Sequence, residues 1–412
     1  MTGSIFDELK DRGFIAQVSD EAAVRKMLGE KQVTFYIGYD STAPSLHAGS
    51  LVPIMAMVHL RRAGHRAIAL IGGGTTMVGD PSGRTEMRQM LTEETIRSYG
   101  EAIRAQLDRY LKFDGDRALA LNNADWLRPL NYIAFLRDIG RHFSVNRMLA
   151  AEAYKIRLEK GLSFIEFNYQ LLQAYDYLTL FRSHGCSLQM GGDDQWGNIL
   201  AGVDLIRRVE GAAVEAMTFP LLTTSAGAKM GKSAQGAVWL DGGQFSPYDF
   251  YQYWINADDR DIGRFLRLYT LLPLDEIRRL EALGGSEINE AKRVLAYEAA
   301  VLTHGEGAAR EARAASTAAF GGFGGKDFAS LPTTAVSRER LEAGIVPAEL
   351  FTEVGLTPSR GEAKRLIAQG GLSVNDERVD TLARLLTLRD IGPDGMILKA
   401  GKKKIHRVVV KG

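Results

Sequence analysis

The sequence predicts a doubly wound parallel α/β domain, then a helical domain, then a small C-terminal α+β unit. Three observations carry this. Val33–Tyr39 and Arg66–Ile71 are β-rich stretches flanking a helical one, and a strand–helix–strand unit of this size makes parallel strands. Residues 248–319 show helical periodicity and no clear strand. The chain closes on a basic stretch that runs into β-like sequence, Ile405-His-Arg-Val-Val-Val410.

Each element has a local reason. Val33-Thr-Phe-Tyr-Ile-Gly-Tyr39 is rich in β-branched and aromatic residues and reads as a strand. A turn at Asp40–Pro44 leads into a helix expected over 46–62, with Gly64 as its C-cap. Arg66–Ile71 is the second strand and runs into Gly72-Gly73-Gly74. Further helices are expected at 84–111, 131–141 and 163–182, and short strands at 118–122 and 187–190. This alternation assigns residues 1–240 to the doubly wound domain. Residues 241–319 are assigned to the helical domain. Residues 320–347, opening on Phe320-Gly-Gly-Phe-Gly-Gly325, are assigned to a linker. Residues 348–412 form the small domain, with a basic helix over Ser359–Gln369 and a strand from Leu372.

Composition excludes several classes. Apolar residues make up 45% of the 412 and charged residues 25%, the balance of a globular chain. No apolar run approaches the ~20 residues that span a bilayer, and the N-terminus lacks an apolar signal core. A cytoplasmic protein with no membrane association is expected. The single Cys186 excludes an internal disulfide and a cysteine-rich zinc site, and fits a reducing compartment. Seven histidines include no HExxH pattern, so no protein-ligated metal is expected. The net charge of +1 hides an asymmetry: residues 351–412 carry 12 Lys/Arg against 7 Asp/Glu, and the rest carry 39 against 43. Such a basic region suits a polyanion.

Five segments carry candidate chemistry. His47-Ala-Gly49-Ser50 stands at the first strand-to-helix turn, where free N–H groups suit phosphate. Gly49 leaves room for a flat base on the backbone, although taken alone the segment is also an ordinary βα turn. Gly72–Arg84 follows the second strand but matches neither GxGxxG nor a Walker loop. Its Asp80 suggests a cationic group such as an amine, or a solvated carboxylate in a long turn. Tyr169, Gln173 and Asp176 share one helix face at i, i+4 and i+7. Buried, that stripe needs partners that a small polar ligand would supply; exposed, it needs only water. Gln189–Asn198 brings Gly192 and Asp194 to another strand-to-helix turn, where Asp194 suits two ribose hydroxyls. The adjacent Asp193 and Asp194 cannot flank a bond as a glycosidase pair. Lys229-Met-Gly-Lys232-Ser233 places two lysines in a Gly/Ser-rich loop, suited to a leaving polyphosphate or simply to solvent.

The order of these segments carries a resemblance. His47-Ala-Gly-Ser50 resembles the HIGH signature of class I aminoacyl-tRNA synthetases, and Lys229-Met-Gly-Lys-Ser233 resembles their KMSKS loop. Tyr36-Ile-Gly-Tyr-Asp40, Gly79-Asp-Pro-Ser-Gly83, Tyr169–Asp176 and Gly191–Asn198 complete a set similar to the bacterial tyrosyl-tRNA synthetases over essentially the whole chain. The C-terminal unit resembles the αL-type RNA-binding fold of ribosomal small-subunit protein four. The resemblance implies a Rossmann-like catalytic domain, ATP as substrate with Mg2+ carried on its phosphates, and L-tyrosine and tRNA(Tyr) as partners. It also implies a homodimer. Tyr36 and Asp176 would bind the substrate's phenolic hydroxyl. Asp80, Tyr169 and Gln173 would hold its ammonium, with Gln195 near its carboxylate. Asp40, Gly49, Gly192, Asp194 and the backbone of Leu222 would contact the nucleotide. His47, Ser50, Lys229, Lys232 and Ser233 would handle the phosphates. Arg360, Lys364, Arg365, Lys402, Lys403 and Lys404 would face tRNA.

Three positions depart from the family pattern. Ser50 replaces the second histidine of HIGH, Ile37 stands where many relatives have Cys, and Gly231 replaces the first Ser of KMSKS. The last is expected to loosen the loop. Two other readings remain at this point. One is a related adenylyl-transferring enzyme, above all a tryptophanyl-tRNA synthetase or a nucleotidylyltransferase. The other is a non-catalytic RNA-binding protein on a degenerate synthetase fold.

Overall fold

A computed structural model describes residues 4–82, 86, 88, 90–150, 152–227, 229–233, 236–320, 331–375, 377–392, 394–401 and 404–411, without the side chains of 152, 153, 155, 156, 232, 233, 319 and 320. The chain forms two compact units. The first comprises 1–232, 237–241 and 258–285, and the second 233–236, 242–257 and 286–412.

The first unit is built on five parallel strands: β1 (Thr34–Asp40), β2 (Arg66–Gly72), β3 (Ala118–Asn122), β4 (Cys186–Gly192) and β5 (Glu215–Phe219), in the order β3-β2-β1-β4-β5. Phe35, Tyr36, Ile37 and Tyr39 of β1 are all buried, as expected of a parallel strand covered on both faces. The chain winds outward from β1 to β3, then returns to the other side of β1 for β4. That reversal opens a crevice at the carboxyl ends of β1 and β4, where ligands of such sheets bind.

The helices beside the crevice have legible termini. Ser163 and Glu166 form a reciprocal capping box ahead of Phe164–Phe167. After a single turn at Asn168 the chain continues as Tyr169–His184, which Gly185 ends in the left-handed conformation. Pro53 sits in the first turn of the helix Leu51–Arg62, where its missing N–H costs nothing.

Two boundaries differ from the sequence expectation. The long helix begins at Glu93, not 84, because Thr92 caps it by accepting from Thr95 N. Leu46 and His47 are not helical. Leu240 N donates to Leu46 O and Ala48 N to Val238 O, both at 2.8 Å, so a distant segment pairs with this stretch and delays the helix to Leu51. Arg12 fastens Ile262–Tyr269 to the N-terminal helix. Its guanidinium is 3% exposed and donates to the carbonyls of Arg267, Thr270 and Leu272.

The second unit joins the helices Pro247–Ile255, Ile288–His304 and Glu306–Phe320 to a five-stranded sheet. Its strands run in the order 377–378, 372–374, 396–400, 404–410 and 333–336, antiparallel except for the last pairing. Thr333–Val336 lies inside the stretch read as linker. Its four residues carry too little pattern to stand out alone and form a strand by pairing with Arg407–Val410. Tyr248 and Ala315 of the helices pack with Leu331, Ile397 and Ile405 in one apolar cluster.

Candidate active site

The crevice gathers polar side chains from every strand end that borders it. Tyr36 lies in the middle of β1, opposite Gln189 of β4 in register. It is 1% exposed, and its hydroxyl has no hydrogen-bond partner among the described residues. An unpaired buried hydroxyl costs about 1–3 kcal/mol. Gln189 Oε1 is likewise buried and unpaired. The charge of Asp176 acts on Tyr36 and, with burial, lifts its phenol above the ordinary range.

Asp176 is itself 2% exposed. It is held from two sides: Asn123 Nδ2 donates to Oδ2 at 2.9 Å and Trp126 Nε1 to Oδ1 at 2.7 Å. Burial nonetheless dominates and raises its carboxyl to about 7, against the opposing pull of those two donors. Asn123 in turn donates to Thr75 Oγ1. Sequence reasoning missed Asn123, Trp126 and Gln189. The available signal was position: Asn123 immediately follows the carboxyl end of β3, and Gln189 interrupts an apolar buried strand.

Three further carboxylates line the same crevice. Asp40 ends β1 and accepts from Thr75 Oγ1 at 2.8 Å and Tyr169 Oη at 3.1 Å. Its carboxyl is raised by burial and by the neighbouring Asp80 charge. Asp80 accepts from Ser82 N at 2.9 Å and from Gln195 Nε2 at 2.7 Å. Asp194 follows Gly192 at the end of β4 and accepts weakly from the same Gln195 amide, at 3.2 Å. Burial raises it too. Gln173 is half-buried on the Tyr169–His184 helix, one turn before Asp176. Such a concentration of partly desolvated negative charge favours a compact cation.

The two signature segments meet backbone to backbone. His47 caps the short helix Ala48–Ser50, its Nδ1 accepting from Gly49 N at 3.0 Å. Ser50 is half-buried and makes no side-chain cap. Val238 N donates to Gly231 O at 2.9 Å, which ties the lysine loop to the strand-like stretch that pairs with Leu46–Ala48. Gly231 has φ +82°, and a Cβ there would fall 2.5 Å from Gly49 N. The expectation that this glycine loosens the loop is therefore corrected: a left-handed backbone in tight contact requires it. Lys229 is exposed, and Leu222 O accepts from Met230 N at 3.0 Å. The side chains of Lys232 and Ser233 lie outside the described residues.

The basic residues belong to the second unit. Arg360, Lys364 and Arg365 are exposed on one helix, with Arg360 paired to Glu349 and Arg365 to Glu362. Lys404 is half-buried instead. Its ammonium donates to Leu356 O at 3.3 Å and interacts with the Asp249 carboxylate. Lys402 and Lys403 lie outside the described residues.

Comparisons with known proteins place the chain among characterised relatives. The family model described as tRNA synthetases class I (W and Y) matches residues 28–321. A tyrosine–tRNA ligase of Syntrophus aciditrophicus is 55% identical over 99% of both chains. One from Clostridium tetani is 52% identical over the full length of both. Among solved structures, a C-terminally truncated mitochondrial tyrosyl-tRNA synthetase of Aspergillus nidulans superposes with a TM-score of 0.68 at 31% identity. That match covers 75% of this chain and 92% of the other.

The raised carboxyl of Asp176 has a measurable consequence. A folded-state pKa above the unfolded one means stability falls as pH rises from about 4 through about 7. Asp176→Asn removes that loss. Thermal unfolding of the variant and wild type should diverge with pH, the variant gaining on the order of 3 kcal/mol between pH 4 and pH 8. A constant difference across that range would show that Asp176 titrates normally.

Proposed function

The chain belongs to the class I tRNA synthetases of the tryptophan and tyrosine group, and on that footing we propose how its residues divide the work. Its reaction joins tyrosine to tRNA at the expense of ATP. The observation that carries the residue assignment is the pair at the floor of the crevice: an unpartnered buried hydroxyl, Tyr36, beside a buried carboxylate, Asp176. A phenolic hydroxyl accepts from the first and donates to the second. An indole N–H donates only, so tryptophan would give the Tyr36 hydroxyl no acceptor.

The rest of the substrate follows from the carboxylates. The ammonium of tyrosine takes the place of the Gln195 amide on Asp80, with Tyr169 and Gln173 alongside. Gln195, released from Asp80, donates to the substrate carboxylate. Asp40, Gly49, Gly192 and Asp194 receive the adenosine, and the Leu222 backbone flanks its base. His47 and Ser50 on one side, and Lys229, Lys232 and Ser233 on the other, take the phosphates.

The chemistry needs positioning more than proton transfer. The substrate carboxylate is already ionised and attacks the α-phosphorus of ATP in line, expelling pyrophosphate. Charge growing on the leaving group is met by the lysine loop, which is worth most in the transition state. Magnesium enters on the phosphate oxygens, as part of the ATP substrate. A ribose hydroxyl of the terminal tRNA adenosine then attacks the tyrosyl carbonyl, and AMP leaves.

Residues 348–412, together with the strand Thr333–Val336 of their sheet, serve as the tRNA-binding domain, with 1–240 catalytic and 241–319 helical. Exposed Arg360, Lys364 and Arg365 support that role, whereas Lys404 is engaged within its own unit. The chain acts as a homodimer. Support comes from large apolar side chains left exposed in the first unit: Tyr132 at 57%, Ile133 at 70%, Val145 at 56% and Phe164 at 70%. No described helix is long and apolar enough to cross a membrane, and the cytoplasm, where tRNA is charged, is the proposed location.

Pyrophosphate exchange into ATP should respond to tyrosine far above phenylalanine or tryptophan. Tyr36→Phe together with Asp176→Asn should collapse that preference. Exchange driven best by tryptophan would contradict the assignment. Charge reversal at Lys364 and Arg365 should leave exchange unchanged and raise KM for tRNA about tenfold or more, with the wild-type affinity falling steeply with salt. An unaltered KM would remove this helix from the tRNA surface.

A further inference from the structure

Gln106 is 6% exposed on the helix Glu93–Leu111, among the buried apolar side chains of Ile103, Leu107 and Tyr110. Its amide is engaged at both ends in one place. Oε1 accepts from Leu46 N at 2.9 Å and stands 3.4 Å from Ser45 Oγ; Nε2 donates to Ser45 Oγ at 3.0 Å. Ser45 is 3% exposed. Its hydroxyl donates to Leu46 O at 2.7 Å and accepts from Asp241 N at 3.3 Å. Leu46 O also accepts from Leu240 N.

One buried amide thus holds Ser45 and Leu46, and through their bonds to Asp241 N and Leu240 N it bears on two chain segments. The first is the turn that presents His47 and Gly49. The second is the return stretch 238–241, whose Val238 N binds Gly231 O in the lysine loop. An aliphatic side chain of similar length would fill the same space without the cost of burying an amide. What the amide adds is a fixed register between the two segments.

We propose that Gln106 is a positioning residue for adenylate formation, which sets the His47 turn and the lysine loop at the spacing that ATP requires. It touches no substrate and acts through Ser45 and Leu46. The inference rests on the assignment of the His47 turn to the phosphates. Small displacements of groups around an in-line displacement are costly, so the effect should fall on ATP and on rate. The tyrosine pocket is built from β1, Asn123, Trp126 and the Tyr169–His184 helix, and should be spared.

The test uses the full chain carrying Gln106→Met, which keeps the volume and removes both hydrogen-bonding groups. Pyrophosphate exchange should show kcat lowered about tenfold or more and KM for ATP raised, with KM for tyrosine within about twofold of wild type. Ser45→Ala should share the effect, and the double variant should be less than additive. Tyrosine binding by equilibrium dialysis reports that the variants are folded. Wild-type ATP kinetics in Gln106→Met, or equal rises in both KM values, overturns the inference. His47→Ala serves as the reference. If it too leaves ATP kinetics unchanged, the phosphate assignment itself falls, and the inference with it.

Discussion

A buried hydroxyl under the charge of a buried carboxylate is the constraint around which the first unit is organised. Tyr36 sits in the middle of a fully covered strand, where a phenylalanine would pack without cost. Asp176 sits on a helix where a leucine would do the same. Each polar group is destabilising until something completes it. Asn123 and Trp126 offset part of the cost for Asp176, and its carboxyl still rises to about 7. Among the described residues nothing completes Tyr36. The described residues hold an incomplete hydrogen-bond set, and under the proposed assignment the substrate closes it with one oxygen that both donates and accepts.

The topology explains why this incompleteness can exist at a stable site. The order in which the chain lays down its parallel strands reverses between β1 and β4, so the loops after these strands part and leave a crevice. Polar groups at the strand ends then face one space: Asp40 from β1, Asp80 beyond β2, Asn123 beyond β3, Asp194 beyond β4. The same geometry brings the His47 turn and the lysine loop into contact, with Gly231 and Gly49 too close for a β-carbon between them. In this protein glycine in the lysine loop sets a close approach; it does not confer looseness. Under the proposed assignment, specificity for the amino acid and handling of the phosphates fall to different residues of one crevice and can be perturbed separately.

Much of this was legible in the residues. β1 and β2 announce themselves by β-branched and aromatic content, and the motif order points to the residues that the crevice gathers. The periodic stripe Tyr169, Gln173, Asp176 reads correctly because helical spacing is a local property. What escaped depends on partners far along the chain. Leu46 and His47 look helical but pair with residues near 240. Thr333–Val336 looks like linker until the strand 404–410 is beside it. Lys404 reads as one of a run of exposed cations, yet its ammonium is taken by Leu356 O. Asn123 and Trp126 carry no motif, and what they bind is another side chain, Asp176.

The most direct test of the central claim is a crystal structure of the protein with L-tyrosine bound. The account predicts the substrate's ring oxygen about 2.6–3.0 Å from both Tyr36 Oη and a carboxylate oxygen of Asp176, with Asn123 and Trp126 still on Asp176. A ring oxygen directed to solvent, with the Tyr36 hydroxyl still unpaired, would contradict it.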